Sequence, residues 1–157
     1  MFTVSTLRRA RLAVWLVGST LILAGCVSGP HFYLQYGGEY RELDLEKILA
    51  ENPLGPGDNI KVANLGRSVS ASQHVVQIRD REFLHVHKLH DATVTMLRGQ
   101  GYLVLDKRRI DLKAGDVIHI PRGVPHQYVN TGSAPTVALA VYAPPFDGKD
   151  TYPVTVP

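Results

Sequence analysis

From Ile60 onward the apolar residues fall into short runs rich in Val, Ile, Leu, Thr and Tyr, each bounded by turn-forming residues. Runs of this length, recurring every eight to twelve residues, read as strands. The pattern predicts strands near 60–65, 71–79, 83–87, 92–98, 101–105, 109–112, 117–120, 125–130 and 136–143. Gly99-Gln100-Gly101, Asp106-Lys107, Ala114-Gly115-Asp116 and Thr131-Gly132-Ser133 supply turns between them. No helical period of useful length appears after residue 52, so the predicted class is all-β, a sandwich or a closed barrel. Ala143 to Gly148 is read as a loop, and Tyr152 to Val156 as a final edge strand.

The stretch before residue 60 is patterned differently. Residues 27–41 show no apolar period, and Gly29, Pro30, Gly37 and Gly38 disfavour regular structure, so this segment is read as a tether. Leu43, Leu45, Ile48 and Leu49 then recur at roughly helical spacing among charged residues, which predicts one short amphipathic helix. It stops before Asn52-Pro53, because the residue preceding a proline resists helical backbone angles. The organisation expected is a leader over 1–25, a tether with one short helix over 26–58, and one folded domain over 59–157.

The leader carries Arg8, Arg9 and Arg11, then an apolar run from Leu12 to Leu23. Those 12 residues are too few to span a hydrocarbon core, which needs roughly 20. Leu23-Ala24-Gly25-Cys26 resembles a bacterial lipobox, which implies cleavage before Cys26 and acylation of its thiol. The plainer alternative is an ordinary secretory signal with an incidental cysteine. Cys26 is the sole cysteine, so no disulfide can form within the chain. Acylation would place the domain in the bacterial cell envelope, held to the membrane by a lipid anchor. Val27 is not aspartate, and by the lipoprotein sorting rule this resembles, the anchor is expected on the periplasmic face of the outer membrane in a two-membrane cell.

Removing the leader changes the charge argument. Three of the 17 basic side chains and none of the 14 acidic ones precede Cys26, so the remainder carries 14 of each. The formal charge of +3 lies wholly in the leader and is no argument for a nucleic-acid partner.

Candidate chemistry gathers in two places, His85-Val86-His87-Lys88-Leu89-His90-Asp91 and the stretch from Gly115 to Asn130, which contains His126. Alternate residues of a strand share a face, so His85 and His87 point the same way, about 6–7 Å apart by strand rise. Neutral imidazole suits zinc, iron, nickel or copper, and a third imidazole from a distant strand, His126, would close on the same ion. Asp91 is a candidate carboxylate ligand from the turn. His119 is read as a wall or packing residue, Met96 and Leu97 as core, and Arg122 as part of a solvated face. The Lys107-Arg108-Arg109 run is read as solvent-facing at a hairpin tip.

Gly115, Pro121, Gly123, His126 and Asn130 match the second motif of the cupin family, G-x5-P-x-G-x2-H-x3-N, at every position. His85-x-His87 followed by Gly99 resembles the first motif, H-x-H-x(3,4)-E-x6-G, and the 15 residues between Gly99 and Gly115 resemble the short hairpin of small bacterial cupins. The resemblance covers roughly 60–145 and implies a double-stranded β-helix, or jelly-roll, barrel, usually dimeric, with a divalent metal (Fe, Mn, Zn or Ni) between its sheets. Two positions depart from the first motif. Its leading glycine falls on Arg79, and its glutamate ligand falls on Asp91 or Ala92 depending on the direction of counting. Three ligand sets stay open: Asp91 as the fourth ligand, three histidines with water, or His90 replacing one of the others. His90 is otherwise a turn histidine beside the site.

Two functions follow from the resemblance. One is a metal-dependent enzyme of dioxygenase or isomerase type acting on a small molecule; the other is a non-catalytic binding or accessory module at the envelope. A third reading keeps the barrel without a metal. No nucleophile motif or phosphate loop narrows the choice.

Overall fold

The computed structural model describes residues 29–155, along which twelve strands and one helix follow in order. A hairpin of β1 (His31–Tyr36) and β2 (Glu39–Asp44) leads into α1 (Leu45–Glu51). Then come β3 (Ile60–Arg67), β4 (Ser72–Ile78), β5 (His85–Val86), β6 (Asp91–Arg98), β7 (Gln100–Leu105) and β8 (Arg108–Lys113). The chain continues through β9 (Val117–Ile120), β10 (His126–Asn130), β11 (Thr136–Ala143) and β12 (Tyr152–Pro153). Each strand expected after residue 60 is present, and the last is shorter than its apolar pattern predicts.

Two five-stranded antiparallel sheets, ordered β12-β5-β10-β7-β8 and β3-β4-β11-β6-β9, face each other as a jelly roll. Period-two alternation decides what lies between them. Ala138, Ala140 and Tyr142 of β11 point inward, where they meet Ile78, Met96, Leu103 and Ile118. Val137 and Leu139 of the same strand point the other way. That outer face of the second sheet is covered in turn, which explains why β11 reads as a nearly continuous apolar run.

The cover is the segment expected to be a tether. Residues 31–44 form a regular hairpin instead, and its inward residues Phe32 and Leu34 are buried with Leu45, Ile48, Ala63, Leu65, Val75 and Val137. Gly37 and Gly38, which look like breakers, are the two central residues of the turn, with φ of 59° and 88°. Two residues with positive φ between paired strands match the twist of a right-handed hairpin, and Tyr36 accordingly pairs with Glu39. The alternation is present in the sequence, since His31, Tyr33 and Gln35 are exposed where Phe32 and Leu34 are buried. Arg41 fastens the hairpin to β3 by donating from Nη1 to the Leu65 carbonyl at 2.9 Å.

The expected helix is present as α1. Asp44 caps it, with Oδ1 accepting from the Lys47 N–H at 3.0 Å. It stops at Asn52, whose side-chain amide donates to the Ile48 carbonyl at 2.9 Å ahead of Pro53. Leu45 and Ile48 bury its one apolar face against the hairpin.

Because Phe32 sits in this second core, Phe32→Ala is expected to destabilise the fold by about 3–5 kcal/mol in urea unfolding. A loss near zero would return residues 31–36 to the status of a tether.

Candidate metal centre

The geometry begins with a strand only two residues long. His85 opens β5 and lies directly across from His126, which opens β10. His87 follows two residues later, just past the end of β5, so three imidazoles from two neighbouring strands and the loop after one of them converge on the interior. Their ring centroids are 4.2 Å (His85–His126), 5.0 Å (His85–His87) and 5.2 Å (His87–His126) apart. One nitrogen from each lies within 4.8 Å of the others, and all three side chains are buried.

Backbone carbonyls set the tautomer of each ring. His85 donates from Nδ1 to the Phe83 carbonyl at 2.8 Å, and His126 donates from Nδ1 to the Val124 carbonyl at 2.9 Å. His87 does the same to the Asp150 carbonyl, in a short contact. A carbonyl only accepts, so Nδ1 carries the proton and each Nε2 keeps its lone pair. Burial lowers the pKa of all three, and that of His126 is pushed down to about 4. Three neutral imidazoles with one nitrogen of each within 4.8 Å of the others are a donor set that a divalent transition metal takes, and the residues present fit such an ion.

The other candidate ligands are placed elsewhere. Asp91 faces away from the histidines and is held by Arg122, with Oδ1 accepting from its N–H (2.9 Å) and Nε (3.1 Å) and Oδ2 from Nη2 (2.6 Å). Those contacts hold its carboxyl well below the usual carboxylate range. Alternation along β6 is the reason: Ala92 points into the interior, so Asp91 points out. Counting back from Gly99 therefore identifies the interior slot, and a methyl group fills it. Arg122 is exposed, as expected of a solvated face, and is also the partner of Asp91.

His90 is also outside the cluster. Its Nδ1 donates to Asp150 Oδ2 at 2.6 Å, and its Nε2 lies 3.3 Å from the Pro145 carbonyl. His119 lies on the exposed outer face, 3.2 Å from Thr93 Oγ1. Met96 belongs to the interior core, and Leu97 packs in the outer cluster. The leader and Cys26 fall outside the described residues.

Two residues at the site carry no signal in the sequence. Asp150, buried in the loop before β12, accepts from the Lys88 N–H (3.0 Å), the Leu89 N–H (2.8 Å) and His90, while its own carbonyl orients His87. Burial would raise its carboxyl, but these hydrogen bonds outweigh that and hold it below its ordinary value. Glu82 is the second. Strand alternation counted back from His85 would turn it outward, but the chain between Arg81 and His85 is irregular and directs it into the interior. Burial pushes its carboxyl upward.

A cavity of about 200 Å³ adjoins the rings, walled by residues of both sheets such as Val76, Met96, Leu103 and Ile118. Phe146 stacks on Tyr142 at 4.6 Å and meets His87 edge-on at 5.3 Å, closing one side.

Comparison with known proteins agrees with this geometry. Residues 75–142 match the family model described as a cupin domain. An uncharacterized protein of Aquifex aeolicus is 40% identical over 108 residues, spanning 69% of this chain and 88% of the relative. A second, from Methanocaldococcus jannaschii, is 31% identical over 86 residues, spanning 55% and 69%. Among solved structures, KdgF from Halomonas sp. superposes with a TM-score of 0.55 at 18% identity, covering 59% of this chain and 87% of its own. Streptomyces Pac13, described as a nucleoside dehydratase, gives 0.54 at 20%, covering 68% and 87%. The cupin domain of Schizosaccharomyces pombe Cnp3 gives 0.55 at 16%, covering 74% and 87%. At these identities the structures share a fold with this chain and nothing more.

The Asp150 contacts make a prediction. Asp150→Ala keeps the carbonyl that holds His87 but removes the carboxylate that anchors its segment through Lys88, Leu89 and His90, and by loosening that segment is expected to weaken Co(II) binding by up to roughly tenfold. Unchanged affinity by spectrophotometric titration would mean that the carbonyl keeps its place at His87 without help from the carboxylate.

Proposed function

Because the chain belongs to the cupin superfamily, we propose that it holds one divalent metal ion through His85, His87 and His126 and binds a small molecule in the adjoining cavity. Iron, zinc and nickel suit this all-imidazole set, and manganese, which favours carboxylate and water ligands, suits it less well. The observation that carries this reading is the shared tautomer, with every Nδ1 committed to a carbonyl and every Nε2 left as a donor. A bound ion would supply a Lewis acid with coordination positions open to substrate, the requirement of dioxygenase and isomerase chemistry. What the chain itself contributes is neutral imidazoles, a water-poor wall and a fixed ring geometry.

A second reading, a binding or accessory module without turnover, has one observation in its favour. Ala92 fills the position where the family motif places a carboxylate, so the side chains of the cluster bring no negative charge to the ion. Metal content tests both. The untagged protein grown with adequate metal is expected to carry close to one ion per chain by elemental analysis, and His126→Ala to lose it while keeping its β-sheet circular dichroism. Wild type far below one ion per chain, or a His126→Ala protein that binds equally well, would refute the site.

We further propose that the domain works at the bacterial envelope, anchored by an acylated Cys26; the charged and apolar leader before Leu23-Ala24-Gly25-Cys26 supports this. Cells expressing the full chain are expected to incorporate an alkyne-tagged fatty acid into it, and Cys26→Ser to abolish the label. Labelling of both proteins, or of neither, would remove the anchor.

A further inference from the structure

Glu82 is out of place in its surroundings. Most of the cavity wall is aliphatic or aromatic, and among the described residues that line it there is no lysine or arginine. A carboxyl buried without a cation is costly to ionise, and burial raises its pKa accordingly. Burial favours its protonated form, and in that form the carboxyl can donate a hydrogen bond into the cavity as well as accept one.

Its position is fixed from three directions, all on β10, the strand that carries His126. The Glu82 N–H donates to the Tyr128 carbonyl at 2.9 Å, and Gln127 Nε2 donates to the Glu82 carbonyl at 2.7 Å. The Tyr128 N–H then donates to Glu82 Oε2 at 3.1 Å. Glu82 is thus held against the strand that carries His126, facing the same cavity as the three rings. It lies outside the group of side chains whose donor atoms could share an ion, so ligation does not explain it.

The wall also limits what can enter. An apolar cavity of about 150 Å³ is enough to hold benzene, so a cavity of about 200 Å³ takes a molecule slightly larger. With three neutral imidazoles, a divalent ion would be the sole cation available. One anionic oxygen of a ligand could be satisfied there. A second anionic group would find no lysine or arginine among the described lining residues, only neutral donors such as those of His74, Tyr142 and Thr151.

We infer that Glu82 reads the bound molecule, donating a hydrogen bond to an oxygen of a compact, largely apolar monocarboxylate or enolate whose anionic group lies at His85, His87 and His126. This rests on the metal-site reading above and narrows its ligand class: phosphorylated and polycarboxylic molecules are disfavoured for want of a second cation.

The test uses the full chain loaded with Co(II), with benzoate as the probe and citrate and inorganic phosphate as comparators, each followed through the visible spectrum of the ion. Failure of wild type to bind Co(II) would defeat the metal site itself. Once Co(II) is bound, benzoate is expected to bind at least roughly tenfold tighter than citrate or phosphate. Glu82→Gln, which keeps an N–H donor, is expected to hold Co(II) as wild type does and to bind benzoate within about threefold. Glu82→Leu is expected to keep Co(II) and to lose roughly tenfold or more in benzoate affinity, as for a hydrogen bond to a charged group. Equal benzoate affinity in wild type and Glu82→Leu, tighter binding of citrate or phosphate, or weaker Co(II) binding by Glu82→Gln would each overturn the inference. Should Glu82→Leu not fold, infrared difference spectra decide. A protonated-carboxyl band that shifts when benzoate is added to wild type, and is missing from Glu82→Gln, supports the contact; a band that does not move overturns it.

Discussion

A backbone carbonyl oxygen can only accept a hydrogen bond, and each of the three clustered imidazoles turns its Nδ1 toward one. This constraint sets the proton, the ring orientation and the direction of the remaining lone pair together. Without it, three buried histidines within 4.8 Å would be free to hydrogen-bond one another, and no common focus would follow. Two of the carbonyls, from Phe83 and Val124, lie two residues before the ring they hold, so the orientation is built into the strand entry itself. The third comes from far along the chain.

The sheets around the site are arranged to keep that focus dry and rigid. β10 stands in the middle of its sheet, between β5 and β7, and carries His126 and Tyr128 on the interior side. The turn from Pro121 to Gly123 is tied to the ligand loop where the Gly123 N–H donates to the His87 carbonyl at 2.7 Å, with Gly123 at φ 77°. Behind the second sheet, the N-terminal hairpin and helix bury the far side of β4 and β11. A sheet packed on both faces resists the flexing that would spread the rings. Loss of packing at Phe32 therefore acts on the same sheet that forms one wall of the cavity.

Much of this was legible in the sequence where a short-range rule applied. Strand spacing, the two-residue period of His85 and His87, and the Pro121-Arg122-Gly123 turn before His126 are all local, and the structure follows them. The hairpin at 31–44 was misread because two glycines look like breakers when their φ signs are unknown, although Phe32 and Leu34 already alternate with polar residues. Asp91 and Ala92 differ by one position, and one position reverses the face of a strand. Glu82 and Asp150 had no local signature: one is turned inward by an irregular stretch of backbone, and the other acts across 60 residues or more.

That last separation carries a consequence for assembly. His87 and the Asp150 carbonyl are 63 residues apart, and β12, just beyond Asp150, pairs with β5, so the segment that covers the histidines is made only after the other strands. A growing polypeptide that has not yet reached this point can already pair its other strands, yet one of its three imidazoles lacks the partner that aims it. The three-ring geometry is complete only once residue 150 has been made and has docked, which would favour capture of an ion after this domain has folded.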